Sequence, residues 1–356
     1  MPSSMLRYRA HGMGIASRAV GRLCIALTAA ALFLAAAVAA GCSGGGDDTS
    51  SAGDGGRAAT STAGWPPTRN RSFRVLIGDM LQGPVLAPSV SVLTPGRNRF
   101  GFALFDRGNR QIGDLDVALY ISKGLDETAH GPYPARYERI AVKPQFRSQT
   151  SSQDPDSAQS VYVSQVRFSS PGTYLVSAVA KLDRKLVATS PAQVTVRSST
   201  SVPGVGDSAI SVHTPTVTSA HGDVKSIDTR VPPDEMHDVD LVDALKRHRP
   251  VVLLFATPAL CQSRVCGPVA DVTEQVKAEF GDKLDFIHME IYRDNDVNKG
   301  PRPQIPAWGL CSRSGKSVTC TEPWLFTIDK RGRVAARLQG AFSAPELEEA
   351  VRRALR

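Results

Sequence analysis

The chain has 356 residues, 42 basic side chains against 34 acidic ones, and an apolar share of 42%. That length accommodates two domains, and that apolar share supports buried cores, which excludes a wholly disordered chain. Aromatics at 6% are too sparse for a base-stacking platform, and beyond residue 41 the balance is only 38 basic against 34 acidic, so no nucleic-acid partner is expected.

The N-terminal stretch carries Arg7, Arg9, Arg18 and Arg22 with no acidic residue, then the uncharged run Leu23–Ala40, then Gly41-Cys42. A basic region, an apolar region and small residues at the end describe a secretory signal peptide over residues 1–41. Small residues directly before a cysteine resemble a bacterial lipobox, with Ala39 where leucine is usual. The resemblance implies cleavage before Cys42 and lipid attachment to its sulfur. The alternative is an uncut signal anchor, because eighteen apolar residues nearly span a bilayer. Either reading expects the chain on the extracytoplasmic face of the cell membrane.

Residues 42–70 are rich in Gly, Ser, Thr and Asp and read as a flexible tether behind the lipidated cysteine. Residues 71–197 read as an all-β domain. Short strand-like runs begin with Phe73–Ile77, Phe100–Phe105 and Asp116–Ile121. They continue with Val161–Val163, Thr173–Val179 and Gln193–Val196, punctuated by Pro-Gly and Asp-Arg-Gly-Asn turns. Pro144–Ser160 reads as a long polar loop and His130 as a surface residue. The order Pro171-Gly172-Thr173-Tyr174, strand, turn, strand resembles the closing hairpin of immunoglobulin-like domains and implies a β-sandwich. Residues 198–232 read as a second linker in which Ile210–Val212 has the composition to add a strand.

Residues 233–356 alternate helix and strand, an α/β pattern. Val239–His248 has helical spacing, and Pro250–Ala256 is a continuous apolar run, as in a strand covered on both faces. Val269, Val272, Val276 and Phe280 outline an amphipathic helix. Leu284–Ile291 is a second strand, and Trp324–Ile328 with Val334–Leu338 forms a hairpin. Ser343-Ala344-Pro345-Glu346 has capping-box spacing at the start of a last helix.

Four cysteines lie in this part: Cys261, Cys266, Cys311 and Cys320. In an exported protein such a set reads as disulfide chemistry. Cys311 and Cys320 bracket a polar turn and read as a structural disulfide, whose closure contributes roughly 2.7 kcal/mol. Cys261 and Cys266 are five residues apart. On a regular helix that places their Cα atoms about 8.6 Å apart, beyond the roughly 6.8 Å limit for a disulfide. A pairing therefore requires a turn, and Gly267-Pro268 suits a helix beginning near Pro268. Both sulfurs then precede the positive helix end with Arg264 between them, which favours thiolate.

The order helix, buried strand, cysteine turn, helix, strand, proline-led hairpin, helix resembles thioredoxin. Val251–Phe255, Ala256-Thr257-Pro258, Cys261, Cys266, Trp308-Gly309-Leu310 and Glu322–Asp329 carry the resemblance. It covers about 120 residues and implies a thioredoxin-like fold. It makes Cys261 and Cys266 a redox-active pair, Pro323 a cis-proline, and the Glu322 backbone with Pro323 a substrate-binding edge. The family separates its cysteines by two residues and places an acid on the preceding strand; here four residues intervene and Leu253-Leu254-Phe255 holds no acid. His237 and His248 flank the preceding helix as candidate bases. The implied function is thiol–disulfide exchange with extracytoplasmic protein thiols or disulfides, without a cofactor. The alternatives are a non-enzymatic cell-surface binding module braced by disulfides, and copper binding of the Sco type, for which His288 is poorly placed. No metal ligands are assigned; neither cysteine pair has zinc-knuckle spacing.

Overall fold

The structure, a computed structural model, describes residues 56–315 and 317–356. The leader, Cys42 and most of the tether lie outside the described residues. Among the described residues no helix is long and apolar enough to cross a membrane.

The described end of the tether is attached to the β region. Arg57 pairs with Tyr137 through two backbone hydrogen bonds, and Trp65 is buried with Lys181 Nζ 4.6 Å from its ring centroid. An indole is large enough to hold its own small cluster, with Phe73, Leu76 and Tyr120. Phe73–Gly78, expected as a strand, is a helix. Ser72 caps it by accepting from the Val75 N–H, and the two side chains it buries, Phe73 and Leu76, stand at helical spacing.

The strands that follow form a ten-stranded sheet. Its centre runs Gly172–Leu182, Val117–Ser122, His130–Arg139, Ser160–Phe168 and Gly96–Phe105, all antiparallel neighbours. The expected runs from Phe100 onward fall inside observed strands, except that Asp116 directly precedes Val117–Ser122. His130–Arg139 is a strand that its two prolines and polar residues concealed. Hydrogen bonding joins the strands into one path rather than two separately bonded sheets. Phe100, Phe102, Tyr162, Phe168 and Tyr174 fill the interior.

The C-terminal sheet has four strands in the order Asp285–Met289, Val251–Phe255, Trp324–Ile328, Val334–Gln339. The first pair is parallel and the other two antiparallel. Along the chain the elements follow the expected order of helix, buried strand, cysteine turn, helix, strand, proline-led hairpin and helix. Val251–Phe255 is wholly buried because side chains of a strand alternate between faces. Val252 and Leu254 meet the helices Cys266–Phe280 and Ala344–Ala354, through Val269, Val272, Leu347 and Val351. Val251, Leu253 and Phe255 meet Leu241, Trp308 and Val202 on the opposite face.

Val202 belongs to the stretch expected to be a linker, and that stretch is largely packed. Residues 206–209 bond to the edge strand, with Ser208 opposite Arg333, so the added pairing falls a few residues before Ile210–Val212. Arg230 is 5% exposed and donates to Asp271 of the cysteine helix at 2.9 Å. A buried guanidinium needs such partners, and it also holds the carbonyls of Phe146 and Pro232. Such a segment is structural.

The β region and the C-terminal sheet meet through charge. Ser343 caps the last helix by accepting from Glu346 N–H. The expected return bond from the Glu346 side chain is replaced: its carboxylate takes Arg99 and Arg136 of the β region, each at 2.7 Å. Gly340 lies at φ +72°, and a Cβ there would stand 2.0 Å from the Ser89 carbonyl oxygen, so only glycine permits this approach.

Candidate functional site

Cys266 is the first residue of its helix, two positions earlier than Pro268, and Cys261 lies in the preceding turn. Arg264 at φ +58° reverses the chain between them, and its N–H bonds the Cys261 carbonyl at 3.3 Å. That left-handed residue is how a four-residue separation returns one sulfur to the other without a regular helix. Both thiols are free and buried, Cys261 at 7% and Cys266 at 0% exposure.

Their environments are unequal. The Cys261 thiol is pulled down to about 6, first by the hydrogen bond from the Cys266 thiol, then by Ser263 and the backbone N–H groups of Cys266 and Val265, against burial. Cys261 Sγ is 3.2 Å from Ser263 Oγ. Cys266 is pushed well up, first by complete burial, then by its role as donor to Cys261 and by the Cys261 and Glu322 charges. One sulfur is thus the more readily ionised and the other the proton-bearing partner. Arg264, expected to favour the thiolate, instead pairs with Asp154 at 3.1 Å; the backbone amides and Ser263 take that part.

The loop 144–160 is part of this site. It forms the short helices Pro144–Phe146 and Gln149–Ser152, and Ser148 N–H donates to Asp271 of the cysteine helix at 3.1 Å. A cleft of about 150 Å³ beside Cys261 is lined by Thr150 and Asp154 from this loop and by Pro258, Arg264 and Gly267. The β region therefore supplies one wall of the approach to the sulfur.

The Glu322–Pro323 peptide bond is cis. The resemblance implicates only the backbone of Glu322, but its side chain also bears on the pair. Its carboxyl is pushed up to about 7, first by burial and then by the Cys261 charge, and Oε2 is buried without a hydrogen-bond partner. An acid near pH 7 that feels the Cys261 charge and acts on Cys266 suits proton transfer; the preceding strand holds no acid. Its position directly before the proline was the available sequence signal.

The histidines lie elsewhere. His248 is exposed, and His237 is buried among Asp228, Asp234 and His288. His288 has both ring nitrogens engaged, Nδ1 with Asp234 and Nε2 with the Ala256 carbonyl. Cys311 and Cys320 form a disulfide, facing each other across the hairpin Cys311–Ser314 and Ser317–Cys320.

No protein-family model matches the chain, and no curated protein matches it. Among solved structures the chain is similar to a thiol:disulfide interchange protein, a thioredoxin family protein from Chlorobium tepidum TLS. The identity is 17% and the TM-score 0.28, over 44% of this chain and 100% of that one. The reading of the site rests on its own residues.

Proposed function

We propose that the chain is an extracytoplasmic, lipid-anchored thiol–disulfide oxidoreductase. The observation that supports it best is the asymmetry of the free pair: a low-pKa Cys261 at a small cleft and a fully buried Cys266 that donates to it. Cys261 thiolate attacks a substrate disulfide, forming a mixed disulfide and expelling a substrate thiolate. Cys266 then loses its proton to Glu322 and attacks the Cys261 sulfur. The Cys261–Cys266 bond forms, the second substrate sulfur leaves, and two electrons pass to the substrate. Run backwards, the same steps oxidise a substrate dithiol. The edge at Glu322 and Pro323 offers backbone groups to an extended substrate strand.

Anchoring through Cys42 follows from the leader alone. An immunoglobulin-like reading of the β region is supported by Tyr174, whose hydroxyl donates to the Ser170 carbonyl at 3.0 Å, as a tyrosine corner does. The non-enzymatic alternative, in which Cys261 and Cys266 form only a brace, draws on the burial of both sulfurs. The reduction potential decides. A value in the range of known oxidoreductases supports exchange chemistry, and one below about −300 mV supports the brace.

A further inference from the structure

Behind the cysteine turn lies a second group of chemically able side chains that the thiol chemistry does not use. Asp228, Asp234 and His237 come from the packed stretch before the first C-terminal helix, and His288 from the strand Asp285–Met289. Their exposures are 3%, 6%, 1% and 1%. One ligand atom from each lies within 4.8 Å of all the others. We propose that these four residues form a closed tetrahedral site for Zn²⁺ that staples residues 228–237 to the sheet.

The distances fit the ion. Zinc bonds to imidazole nitrogen and carboxylate oxygen are about 2.0–2.1 Å, which gives tetrahedral edges of about 3.3–3.4 Å. His237 Nε2 is 3.3 Å from Asp234 Oδ1 and 3.5 Å from Asp228 Oδ2. His288 Nδ1 is 2.8 Å from Asp234 Oδ2 and 3.8 Å from Asp228 Oδ1. These separations bracket the required edge, although they run to different oxygens of each aspartate; one donor atom from each of the four residues lies within 4.8 Å of the others, so the ligands would close by up to about 1.5 Å around the ion.

His237 supplies the independent observation. It is buried, and neither of its ring nitrogens has a hydrogen-bond partner. A buried imidazole left so costs about 1–3 kcal/mol per unsatisfied group. A cation on Nε2 answers that cost at one of the two nitrogens, and in the same place it neutralises two buried carboxylates.

The surroundings orient the other ligands as metal sites require. His288 Nε2–H donates to the Ala256 carbonyl at 3.2 Å, so the ion would take the place of the proton that Nδ1 shares with Asp234 at 2.8 Å. Asp228 accepts from the backbone N–H groups of Arg230 and Asp234, each at 2.7 Å, and Asp234 accepts from Met236 N–H at 3.0 Å. Two imidazoles with two carboxylates suit zinc rather than calcium or magnesium, which require six or more oxygens. Four protein ligands with no exposed face describe a structural site. The Ala256 carbonyl that holds His288 is followed by Thr257, whose backbone amide acts to lower the Cys266 pKa. The staple therefore stiffens the backbone on which the cysteine pair sits.

The test uses the full-length chain in detergent, carrying Cys261→Ser and Cys266→Ser so that free thiols cannot compete. After chelator treatment it should bind one Zn²⁺ per chain by titration and by elemental analysis, with a higher Tm in zinc. Co²⁺ in its place should give the intense visible bands of a tetrahedral nitrogen–oxygen set. His237→Gln should weaken zinc binding by at least about 100-fold. The proposal is overturned if the folded chelator-treated chain binds no zinc, if zinc leaves Tm unchanged, or if His237→Gln binds as tightly as its parent. Sulfur-to-cobalt charge-transfer bands would overturn it as well. Should His237→Gln not fold, the zinc-dependent Tm and the Co²⁺ spectrum of its parent decide alone.

Discussion

Cys311 and Cys320 face each other across a hairpin and are bonded, whereas Cys261 and Cys266 are brought together by a turn and remain thiols. In the hairpin the backbone ladder presents the two Cβ atoms to each other, and neither sulfur has a separate chemical setting. In the turn a left-handed Arg264 returns the chain, and the two sulfurs end in different surroundings: one collects amide and hydroxyl donors, the other is sealed in apolar residues. The lesson is that proximity suits a cysteine pair to cross-linking, while inequality between its members suits it to exchange.

The sharpest way to break this comparison is trapping. We expect Cys266→Ala to accumulate mixed disulfides through Cys261, and Cys261→Ala to accumulate none, an all-or-none contrast read on non-reducing gels. Cys311→Ala/Cys320→Ala should leave trapping by Cys266→Ala unchanged. If Cys261→Ala traps instead, the roles exchange; if neither traps and the folded wild-type bond resists dithiols, the pair is a brace.

The next effect is on stability against pH. Glu322 has a folded pKa raised from 4.5 to about 7, so the folded chain holds a proton that the unfolded chain releases. Its contribution is fully present below about 4.5 and is lost as pH rises to 7, a fall of roughly 3 kcal/mol. Cys261 has a folded pKa lowered from 9.0 to about 6, so its own contribution in the reduced protein grows as pH rises from 6 to 9. Glu274, Glu290, His237 and His288 also have raised pKa values, so the test is a difference: by urea unfolding, reduced wild type should lose roughly 3 kcal/mol more than reduced Glu322→Gln between about pH 4.5 and 7. An equal fall in both would remove Glu322 as its source. The same variant should slow the resolving step, seen as longer-lived mixed disulfide.

The hairpin pair should register only as stability. Cys311→Ala/Cys320→Ala should lose roughly 2.7 kcal/mol from loop-closure entropy, measured by denaturant midpoint under non-reducing conditions. A larger loss accompanied by a changed alkylation rate at Cys261 would show that the two pairs are coupled.

The smallest effect concerns Ser263. Its hydroxyl is one of several groups that favour the Cys261 thiolate, and a hydrogen bond to a charged acceptor contributes about 1.5–3 kcal/mol. Ser263→Ala should move the midpoint of the alkylation-rate profile upward from about 6 by roughly one pH unit. No shift would assign the low pKa to Cys266 and the backbone amides alone.

Much of the C-terminal part was legible because its signals are local. A five-residue apolar run announces a strand covered on both faces, and a proline directly before a second apolar run marks the hairpin. Two cysteines around a polar turn announce a cross-strand disulfide. Each depends on residues within a turn or two of one another, where spacing and side-chain type set the backbone. Phe73–Ile77 shows the limit: a short apolar run satisfies either period, and Ser72 with the burial of Phe73 and Leu76 decided for helix.

What only the tertiary structure decided was the placement of charge. Glu346 has the spacing of a local cap, yet two arginines more than two hundred residues earlier take its carboxylate. Residues 198–232 have a linker's composition, yet Arg230 is buried because Asp271, on the helix Cys266–Phe280, takes its guanidinium, and Asp228 is buried against Asp234 and His237 where the stretch folds back on itself. Glu322 follows no periodic signal, and its raised pKa arises from burial beside a sulfur sixty-one residues away. Hydrophobic periodicity is written along the chain because each apolar residue needs only to face inward. A buried charge needs a particular partner at hydrogen-bond distance, and that partner is chosen by the packing of elements distant in sequence.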